Sequence, residues 1–344
     1  MRKLFGLSLV AAMAVGGAFA AQAAEVTLTV HHFLSPKAPA QTKMLEPWAE
    51  RVAKASNGRI EVKIFPSMAL GGKPPELYQQ VRDGVVDIVW TLPGYTPGVF
   101  PRTEVFELPT VHRGDARATN AAIQEIFPMI AEDFKDVKPL LVHVHAGNAL
   151  HTASKKVTSL DDVKGMKIRT PSRTGGWIIE EWSADPVGMP LPDLSQSLSK
   201  GIVEGALVPF EIFPPMKLAE LTKYSLVGGG NERFGTSTFL FAMNQSRYDQ
   251  LPDDLKKVID DSIGPAFSEE MGIAWNEVEK PGEGMQIDSG GEILHLDADA
   301  KAAFDAAGER VVAKWIEEAN ARGVDGAALV EAARKAVANN SNSN

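Results

Sequence analysis

The chain of 344 residues contains no cysteine, so it has neither a disulfide framework nor a cysteine behind its N-terminal segment to carry a lipid anchor. Basic residues are in the minority: 35 Lys and Arg stand against 44 Asp and Glu, a formal charge of −9. An acidic chain without a basic patch argues against a nucleic-acid partner. After Ala20 no apolar run is long enough to span a membrane. The chain also lacks a Gly-x-Ser-x-Gly elbow and an HExxH pair, and Gly228-Gly229-Gly230 has neither the lysine nor the hydroxyl residue of a phosphate loop.

The N-terminus is Met1-Arg2-Lys3, an apolar stretch from Leu4 to Ala20, and the small-x-small pattern Ala21-Gln22-Ala23. This predicts a signal peptide over 1–23, cleaved before Ala24, and a mature protein in a bacterial periplasm. Removing Arg2 and Lys3 takes the basic count from 35 to 33 against 44 acids, and the formal charge from −9 to −11. The mature chain is long enough for two ordinary domains.

Strands are expected at Val26 to Val30, Ile60 to Phe65 and Val85 to Trp90, with helices at Pro39 to Ala55 and from Pro74 to Val81. This βαβα order predicts an α/β fold with a mainly parallel sheet. The loop from Leu92 to Phe106, rich in proline and glycine, leaves the carboxyl end of a strand, where ligands of such sheets bind. Leu140 to Ala146 is another expected strand, followed by strands at Leu150 to Ala153 and Lys167 to Thr170 and a helix at Gly175 to Trp182. A second α/β unit then takes shape, with strands at Val187 to Met189 and Ala206 to Val208 and helices at Leu194 to Lys200 and Pro215 to Leu221. Tyr224 to Val227 and Thr238 to Met243 are read as strands returning to the first sheet. Helical periodicity then dominates from Pro252 to Trp275 and from Ala298 onward, and Asn339 to Asn344 reads as a disordered polar tail.

On a strand, His143 and His145 would share one face at metal-compatible spacing, but two strand histidines without metal are the plainer reading, and no metal or cofactor is expected. Arg169 is different. It ends a short strand before Thr170-Pro171, where the proline interrupts the ladder and leaves the arginine near an edge or cleft. A planar guanidinium there can hold a carboxylate through two parallel hydrogen bonds or take part in a structural salt bridge.

Several motifs together resemble the periplasmic substrate-binding subunits of the tripartite ATP-independent periplasmic (TRAP) transporters, in the dicarboxylate-named DctP branch. They are Pro47-Trp48-Ala49-Glu50-Arg51-Val52 with Asn57-Gly58-Arg59-Ile60, Leu77 to Asp87 ending in Gly84-Val85-Val86-Asp87, Ser159 to Pro171, Leu198 to Ala206, and Met243-Asn244. The resemblance covers Val26 to about Val337. It implies a two-lobed binding-protein fold with a cleft between the lobes and a long helix bridging them. Lobe I would be 24–146 with 235–344, and lobe II 147–234. It also implies lobe closure on the ligand, delivery to a membrane permease, no enzymatic activity, and Arg169 as the residue that pairs with the ligand carboxylate. A monomer is the working expectation.

Departures from the family pattern bear on the ligand. Ala149 stands where the sialic-acid branch has a second cleft arginine, Val208 where many members have asparagine, and Leu191 where an aromatic residue is usual; Glu204 replaces an aspartate. Loss of a charge and an amide suits one carboxylate on a compact apolar body, such as an aromatic or 2-oxo acid. His32, Trp90, Tyr95, Val208, Phe210, Glu211 and Leu191 are the expected contacts beside Arg169, with Phe33 a weaker candidate. A dicarboxylate or a sulfonate is the alternative ligand. A periplasmic metal enzyme built on the histidines is the alternative activity, and presentation to a membrane sensor the alternative destination.

Overall fold

The computed structural model describes residues 24–341; the expected signal peptide and the last three residues of the polar tail lie outside that range. In chain order the strands are β1 Val26–His32, β2 Ile60–Phe65, β3 Ile88–Thr91, β4 Lys138–Val144, β5 Ala149–Thr152, β6 Lys167–Thr170, β7 Asp185–Gly188, β8 Gly205–Val208, β9 Tyr224–Val227, β10 Thr238–Met243 and β11 Glu292–His295. They form two sheets, ordered β2-β1-β3-β10-β4 and β11-β9-β5-β8-β6-β7. Each is the centre of one lobe of a two-lobed α/β protein.

The first sheet shows how the local motifs act. Gly84 ends the helix Leu77–Arg82 with φ 73°, a conformation that a residue with a Cβ adopts at a cost. The chain then turns so that Asp87 can accept the backbone N–H and the hydroxyl of Thr29, both at 2.8 Å, and the guanidinium of Arg247 at 3.0 Å. One carboxylate thereby ties β1, the start of β3 and the helix after β10 together. Leu28 and Val30 are fully buried beneath it.

The helices Pro265–Glu277 and Glu279–Asp288 join through Val278, which keeps helical torsion angles. The first packs on Ala116–Glu125 and β4, the second on the segment 210–216 and β11, so this helix bridges the lobes. It docks on each lobe through a glycine. A Cβ on Gly272 would lie 2.5 Å from the Arg117 Cα, and one on Gly282 would lie 1.9 Å from the Phe210 carbonyl oxygen. The 24-residue helix Ala298–Ala321 braces the other side, against Arg173–Glu181.

Several sequence expectations change. The first sheet is evenly mixed rather than mainly parallel, because β10 runs antiparallel to β3 and β4; in the second, β5 runs antiparallel to β8 and β9 while the other three pairings are parallel. β9 does not return to the first sheet but lies between β5 and β11 in the second. β11 joins that sheet too, although 235–344 was expected to belong with the first lobe. A short apolar strand carries no mark of which sheet it will enter. The expected helix Pro215 to Leu221 is broken at Lys217, whose φ is 54°, and the one from Pro252 to Trp275 at Gly264-Pro265, with φ 104° at the glycine. Asn339, Asn340 and Ser341 are not a loose tail; they complete the helix Gly326–Ser341, where Asn340 bonds Glu125 and Arg117.

Candidate functional site

Arg169 sits on β6 between Ala206 of β8 and Val187 of β7 and is 2 % exposed. Its Nε and one Nη donate to the Met189 carbonyl at 3.1 and 2.9 Å, and the other Nη reaches the Leu207 carbonyl at 3.4 Å. A guanidinium has five N–H groups; these bonds use three, and the Tyr95 side chain hydrogen-bonds the guanidinium as well. Among the described residues no carboxylate forms an ion pair with it. Burial lowers its pKa, with the Tyr95 side chain the first group opposing that shift.

The Tyr95 hydroxyl comes from the first lobe and accepts the N–H of Leu191, on the second lobe, at 2.8 Å. The lobes are also joined where Arg173 donates twice to Glu104, at 2.7 and 2.6 Å, and where Thr174 donates to Glu107 at 2.7 Å. Trp315 adds a bond to Glu104. These contacts across the cleft describe a closed form.

Between the lobes lies a cavity of about 30 Å³, enough for water-sized occupants as it stands. Its wall includes Arg169, Trp90, Tyr95, Leu191, Val208 and Glu211, all expected from the sequence. It also includes Phe33, Leu34, Leu92, His145, Asn148, Pro209, Ile212, Ser237 and Phe239. Two wider openings flank it, one of about 460 Å³ past Tyr95 and Trp177, the other of about 290 Å³ and mostly apolar past Phe33 and Ile212.

Trp90 forms the flattest part of the wall. It stacks between Phe33 at 5.3 Å and Phe239 at 4.5 Å, and its indole N–H donates to His143 Nε2 at 3.0 Å. That bond uses the ring nitrogen a metal would need, and no group of three His, Cys, Asp or Glu among the described residues is placed to hold a metal ion. Burial holds His143 neutral, with a pKa lowered to about 3.

Two expected contacts do not line the cavity. His32 lies behind Trp90, edge-on at 6.4 Å, and bonds Gln41 at 3.0 Å; burial lowers its pKa to about 4. The chain turns after β1, so the next residue, Phe33, takes the position facing the cleft. Phe210 points into its own lobe, against His151, Phe213 and the Arg233 guanidinium, while its neighbours Pro209 and Glu211 face the cavity. Sequence reading missed Asn148 and Ser237 because they lie in crossing segments without periodicity. It missed Phe239 because an all-apolar strand hides which face meets a ligand.

The polar part of the wall is largely uncharged. His145 is 2 % exposed, takes hydrogen bonds from the Gly147 N–H at 2.8 Å and the Thr236 hydroxyl, and has its pKa held well below the usual range by burial. Burial and the neighbouring Glu279 raise the Glu211 pKa well above the usual carboxyl value. Glu279, which accepts the Glu211 N–H at 2.9 Å, is itself raised to about 7 by burial, against the pull of Arg233.

Residues 30–319 match the family described as bacterial extracellular solute-binding protein, family 7 (DctP). Among solved structures, a TRAP solute-binding protein of an unidentified marine-metagenome microbe is 45% identical, with TM-score 0.89 over 91% of this chain and 99% of that one. It is described as specific for aromatic acid ligands and was solved with metahydroxyphenylacetate. A TRAP solute-binding protein from Rhodoferax ferrireducens, solved with copurified benzoate, is 38% identical, with TM-score 0.88 over 92% and 98% of the two chains. The C4-dicarboxylate-binding periplasmic protein DctP of Rhodobacter capsulatus is 25% identical over 312 residues, covering 88% of this chain and 91% of its own. No helix among the described residues is long and apolar enough to cross a membrane.

Proposed function

We propose, for a chain that belongs to the DctP family of bacterial extracellular solute-binding proteins and is a TRAP solute receptor, that its cleft holds a small aromatic monocarboxylate. The observation that carries this is Arg169: a buried guanidinium held only by backbone carbonyls and the Tyr95 side chain, with no acidic partner in an ion pair among the described residues. An unpaired buried charge is costly, and a ligand carboxylate supplies the missing counter-ion through a charge-assisted hydrogen bond.

Charge balance limits the ligand to one anionic group. Burial raises the Glu211 pKa well above, and lowers the His145 pKa well below, their usual ranges, which favours the uncharged form of each, and among the described residues the cavity wall offers no second cation for a second carboxylate. A dicarboxylate would bury one charge unpaired. The Phe33, Trp90 and Phe239 stack on one side, with Leu191, Val208 and Ile212 on the other, suits a flat apolar ring better than a polyhydroxylated body. The aromatic acids bound by the two relatives agree with this reading.

Closure of the lobes over the ligand, through Tyr95 with Leu191 and Arg173 with Glu104, would give the form delivered to a TRAP permease. Export through cleavage before Ala24 and action as a receptor without catalysis complete the reading. The test is isothermal titration of purified 24–344 with benzoate, malate, 2-oxobutyrate and benzenesulfonate, with Arg169→Lys beside the wild type. Benzoate binding, lost in the variant, supports the proposal. Tight binding of malate alone, or equal benzoate affinity in the variant, refutes it.

A further inference from the structure

We propose that Glu211 and Asn148 form a second polar subsite that hydrogen-bonds a hydroxyl on the ligand's ring, so that this receptor selects hydroxylated aromatic carboxylates over unsubstituted ones. The inference rests on the carboxylate reading of Arg169 and adds what the rest of the cavity recognises.

Glu211 is 4 % exposed and Asn148 likewise 4 %. Glu211 Oε2 and Asn148 Oδ1 are both buried without a hydrogen-bond partner, and both residues line the cavity that contains Arg169. Their placement follows from strand register. Ala149 pairs with Val208, so Asn148 enters β5 beside the point where Pro209-Phe210-Glu211 leaves β8. Arg169 lies on β6, on the other side of β8.

Adjacent strands are about 4.8 Å apart, so the axes of β5 and β6 are separated by roughly 10 Å. That span suits a benzene ring carrying a carboxylate at one end and a small polar group at the other.

The chemistry of the two oxygens narrows the polar group. The Asn148 oxygen only accepts. Burial raises the Glu211 pKa well above the usual carboxyl value, which favours the protonated form, and a protonated carboxyl can donate from one oxygen and accept at the other. A hydroxyl does both, donating to Asn148 and accepting from Glu211. A second carboxylate can only accept, and a methyl group can do neither. With an unsubstituted ring these oxygens keep only water, for which the cavity has little room.

The experiment compares the three hydroxybenzoates with the three size-matched methylbenzoates and benzoate by isothermal titration against the wild type. At least one hydroxybenzoate is expected to bind about tenfold or more tightly than its methyl counterpart. In Glu211→Leu that ratio should fall to within about threefold, and in Glu211→Gln, which keeps an uncharged donor and acceptor, it should persist. Asn148→Val provides a second route to the same collapse if Glu211→Leu does not fold.

Equal affinities of each hydroxy and methyl pair in the wild type overturn the subsite whatever the variants do. A ratio unchanged in both Glu211→Leu and Asn148→Val overturns it as well. If benzoate binds but the pairs do not differ, the carboxylate reading stands and only this inference fails. If neither benzoate nor any hydroxybenzoate binds, both fall.

Discussion

The carbonyl of Met189 receives two N–H groups of Arg169, at 3.1 and 2.9 Å, so the guanidinium is held by one edge and presents the other to the cleft. The grip comes from the residue that follows β7, whose neighbour β6 carries the arginine itself. The binding group is therefore oriented before any ligand arrives, and preorganisation of this kind reduces the ordering cost of binding.

Lysine cannot reproduce that arrangement, because an ammonium has no fixed fork. Arg169→Lys is expected to weaken benzoate binding about 100-fold, on the order of 2.7 kcal/mol, while the unliganded protein stays folded. Isothermal titration paired with far-ultraviolet circular dichroism checks both parts.

Tyr95→Phe removes the acceptor for the Leu191 N–H and leaves that group buried across the cleft. An unsatisfied buried donor costs about 1–3 kcal/mol, and here the cost falls on the closed form. Ligand affinity should drop roughly 5- to 150-fold, with more open molecules in small-angle scattering at subsaturating ligand. Unchanged affinity would mean that this bond does not support closure.

Glu104 joins the lobes through Arg173, with Trp315 as a third member. Breaking a largely buried ion pair by removing one partner is costly. Glu104→Ala should therefore weaken ligand binding without touching the cavity, and should do so mainly through faster release. Stopped-flow dissociation rates, read from Trp90 fluorescence, distinguish this from a slower association.

Gly282→Ala places a methyl group 1.9 Å from the Phe210 carbonyl oxygen if nothing moves. The bridging helix or the segment carrying Glu211 must shift, at a cost of roughly 1–3 kcal/mol. A fall in melting temperature together with weaker ligand binding is expected. The same change at Gly284, inside the same helix and with no atom near its would-be Cβ, should leave binding unchanged and raise the melting temperature slightly, because alanine favours a helix interior over glycine.

The buried histidines predict the acid limb of stability. Burial lowers His32 and His112 to about 4, and His143 and His151 to about 3. The unfolded chain binds protons below about 6.5 while the folded one does not, so their contribution is present above that pH and is lost as pH falls toward 3 to 4. Glu279 acts in the opposite sense. Its raised pKa, about 7, favours the fold below the ordinary carboxyl range and loses effect as pH rises through 7. Melting temperature should fall steeply between pH 6.5 and 4, and Glu279→Gln should remove the opposing loss of stability that the wild type suffers as pH rises from the ordinary carboxyl range to about 7; a flat acid limb in the wild type would contradict the histidine assignment.

Much of the site was legible before folding. Arg169 before Thr170-Pro171, and Trp90 and Tyr95 around a proline-rich loop at a strand end, carry local signals that survive in the structure. His32 and Phe210 misled because a strand end predicts nearness to a cleft but not which of two successive side chains faces it. The turn after β1 gives that position to Phe33, and the turn after β8 gives it to Pro209 and Glu211.

The sequence by itself determined the α/β class, most strand positions and the arginine, because periodicity, proline and glycine act within a few residues. Tertiary structure alone decided that β9 and β11 join the second sheet, that one helix bridges both lobes through Gly272 and Gly282, and that Asn148 and Glu211 lie beside one cavity. Those relationships join residues far apart in the chain. Sheet register and close packing between lobes set them, and no local pattern records either.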